Sequence, residues 1–379
     1  MNVIVVGGGM AGWMTALWLE KLYPLYNISL IESDKIGTIG VGEGTTPHFL
    51  EFLEKIKIDK DDFIAKTNST VKLGINFDKW DKDQKNYYHD FNVLGSTTSY
   101  ALHFDSKLAL NYLSSVGKNR NIKHIVRDVD KEKLKEYDFI FDCTGLHRSV
   151  LKQSWVDCKE YLPFNSAIPF TLPPINKNRT QSIATDKGWV WQIPLTNRTG
   201  CGYVYNNNKH TENEIINTIL KQFPKANINR TTIPFNPGYQ REVWNGNCIA
   251  IGLSSGFFEP IEATSLMTVF LQLDYLPNSL DNKFKTAYND VICNFNEQTM
   301  LFIRHHYVND REDGIWEWVN SLPLPFKLDL LLKNKKLNIF NNRDFKNILE
   351  IENTNIPFTL EQYVLINQGN FKSPPKSLI

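Results

Sequence analysis

The chain has 379 residues, a hydrophobic fraction of 42% and a formal net charge of +1, which is enough for a large core and more than one domain. So even a charge balance gives no global field toward nucleic acid or an anionic membrane, and a small-molecule partner is expected. No apolar run reaches the roughly 20 residues of a membrane span, and Met1 leads into a strand rather than a leader, so the chain reads as cytoplasmic.

The five cysteines are odd in number and form no CxxC pair. They describe neither a disulfide framework nor a zinc site, and no metal is expected.

Asn2 to Val6 is a β-branched run suited to a strand buried on both faces. Gly7, Gly9 and Gly12 follow at GxGxxG spacing with Met10 and Ala11 between them, and Trp13 to Leu22 reads as a helix. The first two glycines allow a tight turn and close backbone approach to a pyrophosphate, and the third lets helix and strand pack closely. Ile28 to Ile31 reads as the second strand, ending at Glu32, about 20 residues past the glycines, where a carboxylate binds a ribose hydroxyl. A purely structural strand-helix turn is the plainer alternative.

Gly37 to Pro47 carries glycines at 37, 40, 42 and 44, enough conformational freedom to lay bare backbone against a flat ligand or simply to form a surface loop. Val71 to Phe77 alternates like one strand with Lys72, Gly74 and Asn76 on a face. Strand lysines usually reach solvent, so Lys72 by itself is weak evidence of function. Tyr87 to Phe91 reads as a loop. Leu108 to Val116 reads as a helix, Ile122 to Val126 as a strand, Lys131 to Glu136 as a charged turn, and Asp138 to Asp142 as a buried strand running to Thr144-Gly145.

Residues 150 to 240 hold many short β-like runs, including Trp189 to Trp191 and Gly200 to Tyr205, which suggest an antiparallel sheet with a helix over Thr211 to Gln222. The apolar run Cys248 to Gly252 then leads into Gly256-Phe257-Phe258-Glu259-Pro260-Ile261-Glu262-Ala263-Thr264-Ser265. This reads as strand, loop and helix start, a layout that presents backbone N–H groups to an anion. From Leu271 onward the pattern is largely helical, and the segment from Asn353 is polar and expected to be partly loose.

Together these predict an α/β (α+β) protein: a discontinuous FAD-binding Rossmann-like domain of glutathione-reductase type over residues 1 to 270, with substrate-side insertions near 50–100 and 155–240. A mostly helical substrate-side region follows over 271–379.

At this point the motifs resemble one family. Gly7 to Gly12, Gly40-Val41-Gly42-Glu43-Gly44-Thr45, the WxWxIP run Trp189 to Pro194, and Asn247 to Gly252 running into Glu259 to Ser265 are similar to the flavin-dependent halogenases of the tryptophan halogenase type. The resemblance implies that reduced FAD, O2 and a halide (chloride, bromide or iodide) yield hypohalous acid, HOX. Lys72 would hold it or be halogenated by it, and Glu262 would work opposite, orienting HOX and taking the proton of the arenium ring. Thr264 and Ser265 would bind halide through backbone amides.

The resemblance further implies that Thr38, Ile39, Gly40, Val41, Gly42 and Glu43 belong to a strap over the isoalloxazine, with Gly252 and Ile261 also at the cofactor. His89 and Phe91 would wall the aromatic substrate, and Trp189 and Trp191 would keep it from the flavin. A separate NAD(P)H-dependent flavin reductase and a small aromatic substrate, with a homo-oligomer as an option, complete the expectation. The chain is shorter than tryptophan-specific relatives and Asp90 replaces an apolar residue or proline between the wall positions, so the pocket is expected to be more open, accepting varied indoles or phenols. Two other readings stay open: an aromatic monooxygenase, disfavoured because Thr144-Gly145 stands where Asp-Gly is usual, and a flavin-binding protein without halogenase activity.

Overall fold

The structure is a computed structural model that describes residues 1–37, 43–91, 100–152, 155–229, 231–333, 345–346, 349 and 358–370. Of the expected cofactor strap, Thr38, Ile39, Gly40, Val41 and Gly42 lie outside the described residues.

Asn2–Val6, Asn27–Glu32, Lys123–Val126, Phe139–Asp142 and Cys248–Ala250 form a parallel sheet, with Trp244–Asn245 as an antiparallel edge. Sequence order is broken because Phe139–Asp142 joins beside Asn2–Val6, and Cys248–Ala250 beside Phe139–Asp142, only after long excursions. Helix Met10–Leu22 lies over this sheet, and its residues Gly12 to Leu19 are all buried. Such a helix, apolar all round, belongs between layers rather than at the surface. Gly12 makes that packing possible, since a Cβ there would sit 1.8 Å from the oxygen of Gly7.

A second sheet of seven strands runs in the order Ile233–Pro234, Ser166–Leu172, Thr199–Tyr205, Gly188–Pro194, Thr180–Thr185, Gly74–Asp78 and Asn86–Asp90. It is antiparallel except where Thr180–Thr185 meets Gly74–Asp78. Its buried side, with Phe77, Trp80, Trp189 and Trp191, shares a core with helices Lys285–His306, Trp316–Ser321 and Phe326–Lys333. Aromatic residues this large each stabilise by roughly 1.5–3 kcal/mol on full burial. A small sheet of Glu43–Gly44, Ala101–Phe104 and Thr70–Lys72 bridges the two halves.

Two local expectations change. Val71 to Phe77 is two strands, Thr70–Lys72 in the small sheet and Gly74–Asp78 in the large one, because the backbone turns at Leu73 between two sheets. Tyr87 to Phe91 is mostly strand, Asn86–Asp90, paired with Gly74–Asp78. Its side chains alternate, with Tyr87 and His89 buried and Tyr88 exposed. Within the tail, Leu360–Asn370 is a helix packed on Lys285–His306.

Candidate active site

A cavity of about 620 Å³ runs between the halves of the molecule. One end is lined by Gly7, Gly9, Met10, Ala11 and Glu32, the other by Lys72, Trp189, Trp191, Ile261, Glu262 and Ser265, with Glu43 and Gly44 also on its wall. At the glycine end, helix Met10–Leu22 starts at Gly9 with no side-chain cap, so its first N–H groups are free to meet an anion. A Cβ at Gly9 would touch nothing within 4 Å, which marks the open side of the cradle. Glu32 closes it, held by His124 Nε2 at 2.5 Å. These residues fit a dinucleotide: free amides for a pyrophosphate and a fixed carboxylate for a ribose.

Gly12 and Gly252 do not line the cavity. Gly12 sits against Gly7, and the Gly252 N–H donates to Gln272 Oε1 at 2.8 Å. Both shape the site from behind.

At the other end Lys72 is completely buried. Its ammonium donates to the carbonyl of Thr45 at 2.8 Å and lies 5.3 Å from the centre of the Phe91 ring. Burial lowers its pKa to about 8, although the charge of Glu262 works the other way. Part of the lysine is therefore neutral amine near physiological pH.

Glu262 comes from the turn that precedes helix Thr264–Asp274. Its backbone is left-handed at φ 63, and so is that of Ala263 at φ 55. Two successive non-glycine residues in that region cost of order 1 kcal/mol each or more, a strain that accumulates at functional turns. Glu262 Oε1 accepts from His89 Nδ1 at 2.8 Å. His306 Nε2 lies 2.9 Å from the same oxygen, off the direction a hydrogen bond requires. Burial pushes the Glu262 carboxyl upward, but the two histidines outweigh it and hold the group well below the usual carboxylate range. His306 itself is pushed down by burial, against the pull of Glu262.

The turn also leaves helix Thr264–Asp274 without a side-chain cap at Ala263, so the amides at Thr264 and Ser265 are unclaimed by any capping group. Ser265 lines the cavity, whereas the Thr264 side chain is buried beside it.

Trp189 and Trp191 lie on the strand Gly188–Pro194 and both face the cavity. Trp191 lies flat over the next strand because Gly202 is there; a Cβ at Gly202 would be 2.0 Å from its ring. Behind them Glu259 accepts from Tyr307 Oη at 2.5 Å, and burial pushes its carboxyl up to about 8 despite that bond.

Neither His89 nor Phe91 lines this cavity. His89 stands behind Glu262 and Phe91 beneath Lys72. Asp90, between them, makes a two-pronged ion pair with Arg179, Nε to Oδ1 and Nη2 to Oδ2, both 2.7 Å. His306 and Gln362 belong to no motif of the sequence, and Thr45 stands in one only as the end of the glycine-rich run Gly40 to Thr45. The only sequence signal for His306 was the basic run Arg304-His305-His306 ending an otherwise apolar helix face. Among the described residues no cluster of His, Cys, Asp and Glu could hold a metal ion, and no helix is long and apolar enough to cross a membrane.

The tryptophan halogenase family model matches residues 2–98 and 92–351. A tryptophan 6-halogenase of Streptomyces toxytricini is 27% identical over 421 aligned residues, covering 84% of this chain and 80% of the relative. A tryptophan 7-halogenase of Lentzea aerocolonigenes is 27% identical over 410, covering 82% and 77%. The crystal structure of the Streptomyces toxytricini enzyme superposes with a TM-score of 0.88 at 25% identity, over 98% of this chain and 90% of that one. A flavin-dependent halogenase from Xanthomonas campestris gives 0.83 at 24%, over 97% and 88%, and speaks for the fold alone.

Fold and family together define an enzyme with an FAD-binding Rossmann-like fold. The chain belongs to the tryptophan halogenase family and is a flavin-dependent halogenase, an enzyme class that uses FAD and halide on small aromatic substrates.

Proposed function

We propose that this enzyme halogenates electron-rich aromatics of the indole or phenol type, with broad scope, by passing halogen from HOX to Lys72. The observation that carries this reading is the joint burial of Lys72 and Glu262 on one cavity whose far end is built for a dinucleotide. Gly7, Gly9, Met10, Ala11 and Glu32 would hold FAD, with Glu43 and Ile261 near its ring system. Reduced FAD, delivered by a separate NAD(P)H-dependent reductase, supplies with O2 the oxidising power that converts halide to HOX. Backbone amides at Thr264 and Ser265 hold the halide, chloride, bromide or iodide.

Lys72 acts as the neutral amine. It attacks the halogen of HOX, forming an N–X bond and releasing water, and so turns a diffusible electrophile into one fixed in place. Its lowered pKa and its anchor at Thr45 support that role. The ring carbon of the substrate then takes the halogen as the N–X bond breaks. The electron pair stays on nitrogen, which takes up one proton from solvent and is again the neutral amine, while the ring proton passes to Glu262 and on to solvent. Glu262, kept ionised by its histidines, accepts the ring proton; the arenium ion is acidic enough that a weak base suffices. Trp189 and Trp191 exclude organic substrate from the flavin end.

The test supplies purified enzyme with FAD, a flavin reductase, NADH, an indole and each halide in turn, with products read by mass. Halogenated product is expected; an added oxygen without halogen would overturn the reading. Glu262→Gln should slow product formation roughly 10²-fold or more with FAD affinity kept, in the range of general-base losses.

A further inference from the structure

We propose that Gln362, on the C-terminal helix Leu360–Asn370, is a positioning residue that aims Glu262 by fixing the tautomer of His89. The inference rests on the catalytic reading of Glu262 given above.

A hydrogen-bonded line runs from Thr359 through Gln362 and His89 to Glu262. The N–H of Thr359 donates to Gln362 Oε1 at 2.6 Å, which settles which way the amide points: its oxygen is claimed, so its NH2 group faces His89. Gln362 Nε2 and His89 Nε2 are 3.0 Å apart. An amide NH2 can only donate, so His89 Nε2 must present its lone pair. The ring proton then resides on Nδ1, and Nδ1 donates to Glu262 Oε1 at 2.8 Å. Gln362 is 1% exposed and His89 4% exposed, so water cannot stand in for either partner. With the other tautomer, two lone pairs would face each other at Glu262, and the carboxylate would lose its holding bond.

The C-terminal helix is itself pinned to the site. Asn370 Nδ2 donates to the carbonyls of His306 and Val308 at 2.9 and 3.1 Å, and His305 Nε2 lies 2.9 Å from the carbonyl of Tyr363. His306, whose main chain Asn370 grips, stacks on Phe77 with ring centres 4.8 Å apart and brings its Nε2 to the same Glu262 oxygen. A segment that contributes no residue to the cavity lining thus sets the direction of the carboxylate in it.

The experiment uses the full chain with ¹⁵N-labelled histidine and long-range ¹H–¹⁵N correlation, the His89 signals being assigned by their loss in His89→Gln. In the native protein His89 should appear as the Nδ1–H tautomer. Gln362→Leu should shift the ring toward Nε2–H, and Gln362→Glu, which puts an acceptor against Nε2, should give the doubly protonated ring or Nε2–H. Halogenation should fall roughly tenfold to a hundredfold in both, as for other partners that orient a catalytic group, while FAD affinity stays close to native.

A ring that stays Nδ1–H in both variants would overturn the proposal. So would native halogenation rates accompanying a changed tautomer. The ring spectra are independent of turnover, so a failure of Glu262 as base would appear as native halogenation in Glu262→Gln with the tautomer shifts intact.

Discussion

Lys72 Nζ donates to the main-chain oxygen of Thr45 at 2.8 Å, and Thr45 is in turn locked to Leu102. The Thr45 hydroxyl donates to the Leu102 carbonyl at 2.9 Å and accepts from the Leu102 N–H at 3.0 Å. The anchor of the lysine is thus held by the Thr45 side chain together with the Thr45 N–H, which donates to the same Leu102 carbonyl at 3.0 Å. Thr45→Val keeps the shape but orphans the buried Leu102 N–H. It should cost about 1–3 kcal/mol of stability, and it should lower the ratio of halogenated product to reduced flavin consumed, because HOX escapes a lysine that wanders. Chemical denaturation and product accounting check both; native values of each would show that the lysine needs no such anchor.

Lys72 also predicts a pH profile. Its pKa is lowered to about 8, chiefly by burial, so below that value the neutral amine is the minor form and grows tenfold per pH unit. The rate of halogen transfer in single turnovers should rise with pH from about 6 and level off near 8. Lys72→Arg keeps a cation that never becomes neutral and should give no halogenated product. A rate that falls between pH 6 and 8 would show the ammonium to be the working form.

Glu259 makes a stability prediction of opposite character. Its carboxyl is raised from 4.5 to about 8, mainly by burial, so the folded state binds the proton more tightly than the unfolded one. That contribution is fully present below about pH 4.5 and is lost as pH rises to about 8, with a slope of at most about 1.4 kcal/mol per pH unit. Glu43, raised to about 7 by burial, acts in the same direction, so the native slope is a sum. Glu259→Gln, which can still accept from Tyr307, should flatten the dependence between pH 5.5 and 8 relative to the native protein. Parallel denaturation curves for the two proteins across that range would contradict it.

The parts of this molecule legible in its sequence are those where local pattern and tertiary role agree. Asn2–Val6 and Asn27–Glu32 are β-branched runs buried in a parallel sheet, and the glycines after the first strand sit where the helix must begin. Lys72 and Glu262 were found through motifs rather than periodicity, and the cavity brings them together. The strand at Asn86–Asp90 was missed because its alternation is of rings and polar groups rather than of apolar and charged ones. Gln362 and His306 were invisible for a different reason. Each is an ordinary residue on a helix, and its meaning comes from which side chain it meets across the fold, a fact no spacing records. The placing of His89 behind Glu262, instead of along the cavity, has the same origin.

Lys72 as the carrier of halogen is tested most directly by one comparison. Lys72→Ala and native enzyme are given FAD, a flavin reductase, NADH, bromide and an indole, and three quantities are measured together: bound FAD, oxidant released as peroxide or free HOX, and brominated indole. Lys72→Ala should bind FAD and release oxidant as the native enzyme does, with brominated product reduced at least 10²-fold, the scale of losing a positioned reactive group. Brominated indole formed by Lys72→Ala at the native rate would remove Lys72 from the chemistry.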